Sequence, residues 1–227
     1  MAFNEHDATA VLFGGLRSVG RGRRVVDDTT WVWDGVNWTA PMLSVKPPLR
    51  YGATLAYDAW PQRVVLFGGC ANVDCSSRLN DTWTWDGNGW RQESPAQSPA
   101  VRDQAAMAWM PALGSVILFG GRSANGNLGD MWSWDGGTWT PLAAGQPAPE
   151  ARYGAGLAWS AADAGLLLYG GMTTTYTDDT WVWKGGAWRQ IQTSVSPAVT
   201  GVGMVYSRAL DAVVLVSRFA TWVWGGE

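Results

Sequence analysis

Three arginines stand at matching places along the chain, Arg50, Arg102 and Arg152. A guanidinium keeps its charge and offers a planar fork that grips a carboxylate through two parallel bonds. Acids recur in step with them at Asp28, Asp81, Asp130 and Asp179. Two chemistries fit this pattern. In the commoner one, arginine and aspartate pair and tie neighbouring strands together. In the other, the arginines ring an opening and hold an anionic group such as a carboxylate. Tyr51 and Tyr153 follow two of the arginines and would add hydroxyls. The third phrase instead reads Arg102, Asp103, Gln104. A repeat that breaks its own pattern is a place for a grafted site, so Asp103 and Gln104 are candidates, with sequence drift as the plainer reading.

Other chemistries find little support. His6 is the single histidine, which leaves no base for a Ser-His-Asp triad. A structural zinc site usually takes four Cys, His or carboxylate ligands, so no metal is expected. Asp103 and Glu150 are acids near the arginine phrases, but nothing pairs them at the ~5–9.5 Å that glycoside hydrolysis needs. Asp178 and Asp179 lack a calcium-loop spacing. No cofactor motif is present, and the balance leans against an enzyme without settling the point. Cys70 and Cys75 lie five apart in one loop. They read equally well as a small disulfide in an oxidising compartment or as two free thiols. Arg17, Arg21, Arg23 and Arg24 crowd another loop. Such a run is most often a solvated loop, and otherwise a basic patch for an acidic partner.

The bulk numbers narrow the class. The chain has 227 residues, 47% of them hydrophobic, enough for one large domain with a sizeable core. No apolar run reaches the ~18 residues that suggest a membrane span. A net charge of −3 gives no global basic field for nucleic acid. The N-terminus lacks the charged start and apolar run of a signal peptide. The chain is then either cytosolic or a piece of something longer, and its compartment stays open.

The elements that must hold these residues are repeated. Val-Leu-Phe-Gly-Gly ends at Gly15 and again at Gly69, Ile-Leu-Phe-Gly-Gly ends at Gly121, and Leu-Leu-Tyr-Gly-Gly ends at Gly171. A tryptophan phrase follows each: Trp31/Trp33/Trp38, Trp83/Trp85/Trp90, Trp132/Trp134/Trp139 and Trp181/Trp183/Trp188. Self-similarity near 50 residues signals an array of like units. Within a unit, short β-branched runs, a turn at Asp86-Gly87 and rising polarity predict four antiparallel strands. Trp83 and Trp85 are two apart, so they share one face of a strand. The recurrence of these tryptophans favours packing between units over sugar platforms. Trp60, at a turn, fits neither the repeat nor the core. Each Gly-Gly is expected to end its strand, let the backbone bend and let a neighbour approach.

These residues resemble the kelch family of β-propellers, most of all the tryptophan-rich bacterial type and the central domain of galactose oxidase. The phrases that carry the likeness are Arg50-Tyr51-Gly52-Ala53, the Leu-Phe-Gly-Gly ends, the Asp81-Thr82-Trp83 strand and the Asp-Gly-x-x-Trp turns. The resemblance implies strands running outward from a central channel. It also implies one face carrying both the second-to-third and the fourth-to-first loops, with ligands often bound there. Copper chemistry like that of galactose oxidase would need histidine ligands that this chain lacks. Residues 133–139 are similar to the Asp box of sialidases, one residue short, which is a turn and not a catalytic element.

The expectation is thus an all-β, kelch-type propeller spanning 1–227, with about five four-stranded blades at 1–46, 47–96, 97–146, 147–195 and 196–227. The first and last blades are incomplete, and the fifth has Val199 in place of the arginine and Ser217-Arg218 in place of Gly-Gly. The resemblance implies a non-catalytic module that binds a protein or glycan through the loop face, where Thr173, Thr174, Thr175 and Tyr176 add an adaptable polar loop. The alternatives are an anion or small-molecule site at the channel mouth, and self-association through the terminal blades, whose open edges invite partners.

Overall fold

The computed structural model describes residues 1–193, 196, 203–217 and 220–226. The expectations placed on Val199 and Arg218 fall outside the described residues. The described residues contain strands, turns and coil, with no helix among them. Five antiparallel meanders follow one another. The first comprises β1 (Ala2–Asn4), β2 (Thr9–Ser18), β3 (Arg24–Trp33) and β4 (Trp38–Thr39). The second comprises β5 (Thr54–Asp58), β6 (Arg63–Cys70), β7 (Arg78–Trp85) and β8 (Trp90–Glu93). The third holds β9 (Ala106–Met110), β10 (Ser115–Ser123), β11 (Gly126–Trp134) and β12 (Trp139–Leu142). The fourth holds β13 (Gly156–Ser160), β14 (Gly165–Met172), β15 (Tyr176–Lys184) and β16 (Ala187–Ile191). The fifth has three described strands, β17 (Gly203–Ser207), β18 (Ala212–Val216) and β19 (Thr221–Trp224). Each four-stranded meander is the blade unit of a β-propeller. The chain clusters into two compact units, residues 1–104 with 134–140, and residues 105–133 with 141–227.

The glycine pairs do not end their strands. β6 runs on through Gly68 and Gly69 to Cys70, and its register with β7 shifts between Phe67 and Gly69. Both glycines have positive φ, +68° and +104°, a region costly to residues with a Cβ. They form a bulge that re-aims the strand without stopping it. The same shift occurs between Phe13 and Gly15 and between Tyr169 and Gly171. As a result Asp28, Asp81, Asp130 and Asp179 lie inside the third strands, not ahead of them. The arginines, conversely, stand just before the first strands. Residues 16–26, expected as a loop, form a hairpin extension pairing Leu16 with Val26 and Ser18 with Arg24.

Tryptophans join successive sheets. Trp90 of β8 packs edge-on against Phe13 of β2, ring centroids 5.6 Å apart, and its indole N–H donates to Thr30 Oγ1 of β3 at 2.9 Å. Trp139 repeats the contact on Phe67 at 5.2 Å and on Thr82 Oγ1 at 2.8 Å. In the other unit Trp188 sits on Phe119 at 5.4 Å, and Met131 sulfur takes the place of the threonine hydroxyl at 3.2 Å. Each seat is thus an aromatic floor from a second strand plus an acceptor opposite it on the third. Edge-to-face aromatic pairs add about 0.5–1.5 kcal/mol beyond the area they bury. The first unit centres on Val11, Phe13, Val64, Leu66, Trp83, Trp85 and Trp90. The second centres on Ile117, Phe119, Leu157, Leu166, Leu168, Trp181 and Trp183.

Candidate functional site

The arginines are built into the scaffold. In the first unit the Arg50 backbone completes the first sheet's bulge: its carbonyl accepts from Gly15 N at 2.8 Å and its N–H donates to Asp27 O at 3.0 Å. Its side chain crosses to the second sheet. Nη1 donates to Gly68 O at 2.9 Å and to Asp81 Oδ1 at 2.6 Å, and Nη2 donates to Asp81 Oδ2 at 2.8 Å. Nε donates to Pro48 O. One residue therefore rivets two sheets. Burial raises the Asp81 carboxyl, but the bonds and charge of Arg50 and the Trp83 indole bond outweigh it and hold its pKa below the ordinary value. Arg102 is also buried, with Nε on Ala100 O, its carbonyl accepting from Gly69 N and its N–H donating to Leu79 O.

Arg152 of the second unit repeats the arrangement. It donates to Gly170 O at 3.0 Å and makes a two-pronged pair with Asp179. Burial raises Asp179, and the bonds from Arg152 and Trp181 prevail, so its pKa is lowered. Tyr153 exchanges backbone bonds with Met172, and its ring carries the Arg122 guanidinium 4.9 Å from its centroid. Arg50 and Arg152 thus spend their forks on internal carboxylates. Asp28 pairs instead with Lys46 at 2.8 Å.

The first unit gathers most of the other candidates. Tyr51 exchanges backbone bonds with Cys70, and its hydroxyl donates to Val73 O at 3.1 Å. Cys70 and Cys75 form a disulfide that closes the β6–β7 loop. Asp103 is buried beside them and accepts from Arg78 Nε at 2.6 Å, while Arg78 Nη1 donates to Cys75 O at 3.0 Å. Gln104 Nε2 donates to Asp103 Oδ2, and Gln104 N donates to Gly52 O. Gln104 holds φ +54°, where the matching Gly52 and Gly154 hold +65°. A side chain in this left-handed region costs about 1–2 kcal/mol. The departure from the Arg-Tyr-Gly phrase therefore stores strain and places a carboxylate where the other repeats have a tyrosine. Arg78, the partner that organises this cluster, was missed as a site residue. It is one position past a serine pair in a variable loop, and nothing local marks its reach of 25 residues.

Exposed apolar and basic residues occur on other segments of the same unit. Leu16, Val19, Leu49, Val73 and Val101 are 38–48% exposed. The bonds from Gly15 N to Arg50 O and from the Tyr51 hydroxyl to Val73 O bring together the segments that carry Leu16, Leu49 and Val73. Arg17, Arg21, Arg23 and Arg24 are exposed on the hairpin of β2 and β3, with Arg17 3.5 Å from Asp27. The tip turn is held by Val19 N to Arg23 O and Arg23 N to Gly20 O. In the second unit Tyr176 is 65% exposed at the start of β15, beside the Thr173–Thr175 turn.

A second group escaped the sequence reading. Asp58, the last residue of β5, is 1% exposed, with Oδ1 accepting from Trp60 N at 3.0 Å. Burial pushes its pKa up to about 7; the Trp60 bond opposes this, and the nearby Asp135 charge adds to it. Matching places in other repeats hold Asn4, Met110 and Ser160, so the sequence shows a tolerant turn position and gives no sign of burial.

Comparison with known proteins agrees with this architecture. The KLHDC2/KLHL20/DRC7 Kelch-repeats domain model matches residues 1–218. The chain is similar to Dynein regulatory complex subunit 7 of Chlamydomonas reinhardtii, 31% identical over 121 residues. The aligned stretch covers 51% of this chain and 10% of that protein, so the chain spans a small part of its length. With five successive blade-type sheets and a family match over nearly all of its length, the chain belongs to the kelch-repeat family of β-propellers.

Proposed function

We propose that this chain is a non-catalytic module that captures a protein through the loop end of its first unit. The supporting observation is that this unit carries five half-exposed apolar side chains, two of which, Leu16 and Val19, are on the same β2–β3 hairpin as the exposed arginines. Apolar area supplies affinity, and the fixed positive charges select and steer an acidic partner. Kelch domains are typically protein-interaction modules, which agrees with this reading. Arg50 and Arg152, bound to Asp81 and Asp179, act as supports for the face and not as anion receptors. Tyr51, Asp103 and Gln104 fix the β6–β7 loop against the segment before β9, and so shape the surface.

A glycan ligand is the weaker form of the same reading, because the aromatic rings at this end are sparse and the exposed groups are aliphatic and cationic.

Selection of a displayed random-peptide library on the immobilised chain tests the binding reading. Acidic peptides with apolar anchors should be enriched, and the enrichment should vanish on an Arg21→Glu/Arg23→Glu variant of unchanged melting temperature. Enrichment of neutral or basic peptides, or equal enrichment on the variant, would overturn it.

A further inference from the structure

The residue after a Gly-Gly pair and the residue after the arginine of the following phrase meet in space. In the second unit these places hold Arg122 and Tyr153, the guanidinium 4.9 Å from the ring centroid. In the first unit they hold Cys70 and Asp103. Cys75 joins them. The sulfurs of Cys70 and Cys75 and a carboxylate oxygen of Asp103 all lie within 4.8 Å of one another. The three residues are 0%, 5% and 1% exposed. Two thiolates and a carboxylate suit a divalent ion of the zinc class. Ligand atoms sit about 2.0–2.3 Å from a zinc ion, so they span at most roughly 4.6 Å. Once the sulfurs are free to separate, the three groups already have that spread.

Charge decides whether burial permits such an ion. Arg78 Nε lies 2.6 Å from Asp103 Oδ1, and this pair is neutral. Opening the disulfide gives two neutral thiols. A divalent ion that displaces both thiol protons leaves two thiolates around it, so the cluster stays neutral. An uncompensated buried charge would be costly, and this exchange creates none. The surroundings also hold the ligands in place. Arg78 Nε and Gln104 Nε2 donate to the two Asp103 oxygens, which fixes the carboxylate and leaves lone pairs for a metal. Cys70 is held by its two backbone bonds to Tyr51. Cys75 N donates to Asn72 O, and Cys75 O accepts from Arg78 Nη1.

We propose that Cys70, Cys75 and Asp103 form a zinc-class metal site when the disulfide is open, so that the disulfide and the metal-bound form are alternatives at one place. A dithiol supplies the two electrons and two protons that turn the S–S bond into two thiols, and is itself oxidised to a disulfide. The ion then replaces both thiol protons, which pass to water, and binds the two sulfurs and one Asp103 oxygen. Water takes the fourth position of the tetrahedron.

The test uses cobalt(II), which substitutes for zinc and gives a charge-transfer band when bound by thiolate. The full 227-residue chain is reduced with a phosphine, which ends as its oxide, and is titrated with cobalt(II) in the absence of oxygen. One cobalt per chain should bind, with the thiolate band and the visible bands of a tetrahedral ion, and added zinc(II) should bleach both. Zinc should raise the melting temperature of the reduced chain and leave that of the oxidised chain unchanged. Cys70→Ser/Cys75→Ser should lose the thiolate band. Asp103→Asn keeps both sulfurs and should bind cobalt at least roughly tenfold more weakly. A reduced chain that shows no thiolate band in excess cobalt would overturn the site. So would equal affinity in Asp103→Asn, or an equal zinc-induced rise in the melting temperature of the oxidised chain.

Discussion

Asp58 is buried and Asp81 half-buried, and the two carboxylates have opposite linkage to pH. The Asp58 pKa is raised by burial to about 7 in the folded chain, while an unfolded aspartate ionises near 4. Between those values the folded state holds a proton the unfolded state has lost, so this group lowers stability as pH rises. Asp81 and Asp179 have lowered values. Their stabilisation is present above about pH 4 and is lost as the pH falls through their folded pKa. Asp58→Asn should therefore gain on the unmodified chain between about pH 4 and pH 7, by on the order of 1–3 kcal/mol at the upper end, because the amide still accepts from Trp60 N and carries no charge. Melting temperatures of both forms across that range check it; parallel curves would refute the assignment. Gln104→Gly should raise stability by about 1 kcal/mol, since the position already has the left-handed backbone that glycine occupies in Gly52 and Gly154. Denaturant unfolding measures this, and a loss of stability would mean that the Gln104 bond to Asp103 outweighs the strain.

At the scale of elements, two devices fix one sheet on the next. The Arg50 rivet joins a fully buried guanidinium to a partly exposed carboxylate, so Arg50→Met leaves Asp81 and Gly68 O without their donor and should cost about 2–3 kcal/mol. The seated tryptophans are the second device. Trp139→Ala should cost about 3–5 kcal/mol. Thr82→Val should cost about 1 kcal/mol by removing the acceptor of the indole N–H. A double-mutant cycle between Trp139 and Thr82 should show coupling, and additive losses would contradict the seat. The strands and their order were legible because the apolar runs and tryptophan phrases recur. The length of the third strands was not. Gly68 and Gly69 read as a stop, yet their positive φ values serve a bulge that passes the chain onward and brings Arg102 O within hydrogen-bond reach of Gly69 N. The arginine–aspartate pairing was legible as one of two readings, since equal spacing does not tell an internal pair from an open ring.

Over the whole chain, the site was legible in parts and not as an assembly. Cys70, Cys75, Tyr51, Asp103 and Gln104 each stood out by type or by broken pattern. What gathers them is Arg78, whose side chain joins the β6–β7 loop to the start of the next repeat, a contact that only the fold brings about. The exposed aliphatic residues around them gave no sequence signal, because Leu16, Val19 and Val73 look like strand residues until the hairpin and loop carry them to the surface. The family match and the five blade sheets agree with a module whose rigid core presents variable connections, the usual place for recognition.

The proposed recognition surface is the arginine-bearing loop end of the first unit. The most direct measurement is the affinity, by fluorescence anisotropy, of the most enriched selected peptide for three forms: the unmodified chain, Arg21→Glu/Arg23→Glu, and Trp60→Ala, whose indole is exposed at the turn between β5 and β6. The charge reversal should weaken binding at least roughly tenfold, about 1.4 kcal/mol, and Trp60→Ala should leave it unchanged. Unchanged affinity after the charge reversal, or a loss confined to Trp60→Ala, would contradict it.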